Sequence, residues 1–153
     1  MQYQQQRFGR RLARTQAGMT LAEVVVAISI SGLAVAGIVS GYIFAARSAE
    51  KSSLSLAANA RAMERLETTR GAKWDTSSYP AVDQLVITNF PAQVVLLDRS
   101  GSGFGSSYGT NVVQISQIST NPPLRRIRVD CVWRFNATQL LTNTIETCRA
   151  PDS

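Results

Sequence analysis

Glu23 is the first residue in this chain that could do chemistry where none is expected. It is the first acid of the sequence and the only charge between Met19 and Ala46, a stretch otherwise apolar or small. A carboxylate well inside a membrane helix costs on the order of 2.5–3.5 kcal/mol, and less near the helix end. Four arginines, Arg7, Arg10, Arg11 and Arg14, precede it. The question is what a carboxylate does just after a basic leader and at the start of an apolar run.

Other reactive residues are sparse. There is no His, so the commonest general base and metal ligand is missing. Serines abound, but no His or Lys is placed to activate one and no G-x-S-x-G elbow occurs. Catalysis is not expected, and no cofactor or metal is implied. Asp98-x-Ser100-x-Ser102-Gly103 has the start of a calcium loop, but Gly109 stands where the closing acidic ligand belongs. An ordinary flexible loop is the better reading. Arg125, Arg126, Arg128 and Arg134 surround Trp133, a pattern open to nucleic-acid binding. The alternation favours a solvated strand face with Trp133 in the core. The formal charge of +6 owes four units to the leader arginines, so it argues only weakly for DNA.

Cys131 and Cys148 make no CxxC, so neither zinc nor a redox motif is indicated. In an oxidising compartment a disulfide between them is one expectation, and two buried free thiols the other. If "NAT" at 136–138 is a turn, simple register sets Cys131 opposite about Asn143. A disulfide would then need a bulge, a longer loop or another strand.

These residues need elements to hold them. The uncharged run 24–46 is long enough to span a bilayer as a helix. Residues 47–70 are rich in helix formers, with Gly71 as the stop. Leu56, Ala60, Met63 and Leu66 recur at helical spacing and predict a narrow apolar stripe. One helix of about fifty residues, roughly 75 Å long, is expected. After it, "QLVIT", "QVVLL" and "NVVQISQI" predict short strands, with "RSGSGFGSSYGTN" as a flexible loop. In "LRRIRVDCVWRF" the residues Ile127, Val129, Cys131, Trp133 and Phe135 alternate with mostly polar ones, which predicts a half-buried strand. "QLLTNTIETC" would return beside it as a hairpin in a small antiparallel sheet.

Three readings of the apolar segment compete. A plain anchor explains its length but gives Glu23 no task. A secretory signal cleaved after Ala36 fits "AVA" at 34–36. Glu23 would then interrupt its apolar region, and the run continues past the cut. The third reading rests on Gly18, Met19, Thr20, Leu21, Ala22 and Glu23. With the basic leader and the retained span, this segment resembles the type IV pilin and type II secretion pseudopilin family. That family's pattern is Gly, then usually Phe, then Thr-Leu-x-Glu; Met19 replaces the Phe. The resemblance is strong over residues 1–50. It continues more weakly in "ARAMERLETTRGAKWD" and "LRRIRVDCVWRF", which look like parts of minor pilins and minor pseudopilins.

The resemblance implies cleavage after Gly18 by prepilin peptidase and N-methylation of Met19. It gives Glu23 an assembly role, through the amine of a neighbouring subunit. It implies a pilin-like α+β fold: basic leader 1–18, membrane and polymerisation helix 19–46, amphipathic continuation 47–71, and periplasmic sheet domain 72–153. Expected partners are other pilins or pseudopilins, prepilin peptidase, an inner-membrane assembly platform and membrane lipid. DNA is not expected, although a DNA-uptake pilin is an alternative. The leader arginines place the N-terminus in the cytoplasm.

Overall fold

A computed structural model describes residues 18–99, 105–136 and 138–152. The leader arginines and the centre of the Gly/Ser segment, Ser100 to Phe104, therefore lie outside the described residues. The chain divides into two compact units, one ending at Phe44 and one running from Ala45.

Helix α1 spans Leu21–Arg70. No Pro occurs before Pro80, and the sequence is dense in Ala, Leu, Val and Ile, so nothing breaks the backbone ladder. In the first unit Leu33, Ile38 and Phe44 are 76, 72 and 76% exposed, so nothing among the described residues covers these side chains. By length and composition this helix can cross a membrane. It ends where the Gly71 N–H bonds to the Glu67 carbonyl at 3.0 Å, without a left-handed residue.

In the second unit α1 packs on an antiparallel sheet from Leu54 to Thr69. The strands are β1 (Trp74–Asp75), β2 (Val82–Asp83), β3 (Gln93–Asp98), β4 (Ser107–Thr120), β5 (Pro123–Phe135) and β6 (Gln139–Arg149). β1 and β2 form a two-stranded ribbon, and the larger sheet is an up-and-down meander in the order β3-β4-β5-β6. β4 and β5 are joined by Asn121 and a cis-linked Pro122. β5 turns into β6 at Asn136, whose positive φ of 51° suits Asn better than most residues.

The expected alternation in β5 is present. Ile127, Val129, Cys131, Trp133 and Phe135 are buried against the helix, while Arg126, Arg128 and Arg134 are exposed. Trp133 also donates to Asn143 Oδ1 at 2.7 Å. The β5–β6 register sets Cys131 opposite Asn143, as the three-residue link predicts.

The helix stripe differs from the expectation. Leu54, Ala58, Ala62, Leu66 and Thr69 are buried, whereas Leu56 and Met63 are 70 and 47% exposed. Two alanines at the middle of the contact let the helix lie close to the sheet, and a larger residue there would hold it off. "QLVIT" is not a strand. Leu85 is fully buried, then a 3-10 turn at Ile87–Asn89 carries Ile87 out to solvent. That turn is fixed by the Asn89 side chain, which donates to the Gln84 carbonyl at 2.9 Å. The Gly/Ser segment is also shorter than expected, because β4 starts at Ser107. Gly109 belongs to that strand. A Cβ there would lie 3.0 Å from Cys131 Sγ and 3.2 Å from Leu97 Cδ1.

Candidate processing and assembly site

The N-terminal end of α1 is built around Thr20 and Glu23. The Thr20 N–H donates to Glu23 Oε2 at 2.8 Å, and the Thr20 hydroxyl donates to the same oxygen at 3.0 Å. In return the Glu23 N–H donates to Thr20 Oγ1 at 3.3 Å. This is a capping box, with Thr20 as N-cap and Glu23 at the third helical position. It satisfies backbone donors that the first turn leaves without carbonyl partners. The carboxylate also sits where the helix dipole favours negative charge. Among the described residues Oε1 of Glu23 accepts no hydrogen bond.

The box fixes where the helix begins. Leu21 is the first helical residue, so Gly18 and Met19 lie outside the helix. Both are exposed, and the space around the Gly18 Cα is open. The peptide between them thus makes no helical hydrogen bond, and nothing among the described residues covers it. The sequence reading placed Thr20 in the motif but not as a helix cap, although the T-x-x-E spacing that signals a capping box was legible. Further along, Ser29 satisfies its hydroxyl on the Val25 carbonyl at 2.8 Å, within the helix. A Cβ added at Gly32, Gly37 or Gly41 would meet nothing within 4 Å among the described residues beyond the helix's own backbone.

The other candidate residues are not brought together. The expected Cys131–Cys148 disulfide is not formed, and both thiols are free. The unbroken β5–β6 ladder is the reason: Cys131 faces Asn143, and Cys148 faces Arg126. Cys131 is buried and Cys148 exposed, so the alternative of two buried thiols holds for only one of them. Burial pushes the Cys131 thiol up from its ordinary range.

The arginines around Trp133 also part company. Arg125 donates to Asp83 Oδ1 and Oδ2 at 2.8 and 2.7 Å and stacks over Trp74 at 4.4 Å. Arg128 bonds the Asp130 carboxylate at 3.0 Å. Trp133 is in the core, while Arg126 and Arg134 are exposed. Ser100, Ser102 and Gly103 of the calcium-like pattern lie outside the described residues. Among the described residues no group of three His, Cys, Asp or Glu side chains could hold a metal.

Residues 13–39 match the family model for the prokaryotic N-terminal methylation motif. The match takes in Gly18, Met19, Thr20 and Glu23 and covers under a fifth of the chain. No curated protein and no solved structure gives a match. This motif at the head of one long apolar helix, with antiparallel strands after it, gives a pilin-like α+β architecture, consistent with membership of the type IV pilin and pseudopilin family.

Proposed function

We propose that the chain is a minor pseudopilin or minor type IV pilin, a structural subunit of a type II secretion pseudopilus or a type IV pilus. The observation that carries this reading is the Thr20–Glu23 box beside an exposed, non-helical Gly18–Met19 peptide, inside the matched motif. Prepilin peptidase cuts after Gly18 on the cytoplasmic side and methylates the new amine of Met19. The apolar helix stays as the membrane anchor. The leader end is cytoplasmic and the sheet domain periplasmic.

Assembly then buries both the amine and the carboxylate among like helices. Each is costly there without a partner. A neighbour's Met19 amine against Glu23 relieves both costs and sets a stagger, so the charge specifies register more than it adds stability. The partners are other pilins or pseudopilins, the peptidase, the assembly platform and lipid.

N-terminal sequencing and intact mass of the mature protein test this. A methylated Met19 as first residue supports it. A chain beginning at Gly37 shows a conventional signal peptide instead. Helix α1 runs unbroken through "AVA" at 34–36, whereas signal peptidase needs an extended segment at its cut, which favours the first outcome.

A further inference from the structure

A polar cleft in the second unit carries a site that the filament reading leaves unused. It has a volume of about 360 Å³ and lies between α1 and strand β3, bordered by Arg61, Glu64, Arg65, Val94, Leu96 and Asn111. Asn111 is 2% exposed. Its Nδ2 donates to the Arg61 carbonyl at 3.1 Å, which fixes the amide, yet its Oδ1 has no donor among the described residues. Flipping the amide would lose the one bond it makes. Arg65 has a matching defect. Its Nη2 donates to the Pro91 carbonyl at 2.9 Å and its guanidinium lies over Phe90. Its buried Nε–H has no acceptor, and among the described residues no carboxylate pairs with it. Buried polar groups without partners are uncommon and costly, and here a donor and an acceptor border one cleft.

The edge of β3 opens on the same cleft. β3 is an outer strand of the sheet, and the Leu96 carbonyl accepts from Arg61 Nε at 3.3 Å. That carbonyl therefore points away from β4. Backbone groups alternate in direction along an antiparallel strand, so the N–H and C=O of Val94 point the same way. The cleft thus offers a strand's hydrogen-bonding edge, a guanidinium without a carboxylate and a buried amide oxygen. Its charged side chains are two arginines and one glutamate.

We propose that this cleft receives an extended acidic segment of a partner protein. The segment adds along the outer edge of β3, as peptides add to exposed sheet edges elsewhere. One of its carboxylates pairs with Arg65. The two orphaned atoms are buried, so side chains covering them must move. Arg61 and Glu64 form a solvent-exposed pair at 2.8 Å, of a kind that separates at little cost. The inference does not depend on the filament reading, since every residue in it lies in the second unit.

The test uses the full chain in detergent micelles, titrated calorimetrically with acetyl-Val-Thr-Asp-Val-amide. Saturable binding is expected, weakened about ten-fold when the peptide's Asp is changed to Asn and about ten-fold by Arg65→Gln. Glu64→Gln, at an exposed position, leaves the fold intact and is expected to tighten binding about two-fold by removing a like charge. Equal affinity for the Asn peptide, or unchanged affinity in Arg65→Gln, overturns the proposal. So does acetate binding as tightly as the peptide, which marks an anion site only. No saturable binding of either probe means that ordered water alone fills the cleft, and overturns it as well.

Discussion

Arg125 on β5 holds both carboxylate oxygens of Asp83 on β2, at 2.8 and 2.7 Å, while its guanidinium lies 4.4 Å from the ring centre of Trp74. One side chain thereby ties the small ribbon to the main sheet. It also donates to the Leu85 carbonyl at 2.9 Å. Lys keeps the charge but has neither the fork nor the flat face. Arg125→Lys is expected to destabilise the sheet domain by about 1–2 kcal/mol. Urea unfolding followed by tryptophan fluorescence reads this directly, and an unchanged midpoint would show that the clamp is ornamental.

Stability should fall on the acid side. Arg125 holds Asp83 below its ordinary value of 3.8. Asp152 is lowered too, first by the Trp74 N–H and then by Arg149, and Asp75 by Ser77 and Ser78. A carboxyl with a depressed native pKa binds fewer protons folded than unfolded. Its contribution is therefore complete above the unfolded value and lost as pH falls through the native one. Thermal unfolding of the chain should be flat near neutrality and drop progressively below about pH 4. Arg125→Leu should flatten part of that acid limb, because Asp83 then titrates nearly alike in both states.

Gly109 is expected to resist substitution. A methyl group there meets Cys131 Sγ and Leu97 at 3.0 and 3.2 Å, in the packed interior between β3 and β5. Gly109→Ala should cost about 1–3 kcal/mol as an overpacked core. The double variant Gly109→Ala, Cys131→Ala should recover part of the loss. A denaturation series over the four proteins measures the coupling.

The two thiols should differ in reactivity. Cys148 is exposed on the edge strand, and Cys131 is buried with its thiolate disfavoured. A thiol reagent is expected to modify one cysteine per chain under native conditions and the second only in denaturant. Mass mapping should place the first label on Cys148. Two rapid modifications in the folded protein would contradict the core described above.

Glu23→Leu is expected to leave membrane insertion intact and to impair incorporation into filaments. Insertion would rest on the apolar run, while the assembly role proposed for Glu23 rests on its charge. Membrane fractionation and a count of the variant in sheared filaments separate the two. Incorporation at the normal level would refute the assembly role.

The sequence makes the second half of the sheet easy to read and the helix face hard. The β5–β6 hairpin follows from strict alternation and from a three-residue link, which together set Cys131 opposite Asn143. The buried stripe of α1 escapes because its middle positions, Ala58 and Ala62, are small. Apolar size points to Leu56 and Met63, but closeness of approach decides, and only the sheet sets it. Leu85 and Ile87 show the same limit, since one apolar pair is split between core and solvent by a local turn. The clamp of Arg125 was invisible because its partners, Asp83 and Trp74, are brought near by folding alone. At the N-terminal end the reverse holds. Thr20 and Glu23 interact across three residues, so their spacing alone carries the signal of the box, even though the motif reading gave Thr20 no capping role.

The capping box divides the labour of one carboxylate. Both hydrogen bonds from Thr20 fall on Oε2 of Glu23, which leaves Oε1 uncommitted within the described chain. One oxygen shapes its own helix and the other can face outward, at the same time. A glutamine has a single acceptor oxygen and must choose between the two tasks. An aspartate keeps two oxygens but has a shorter reach to both.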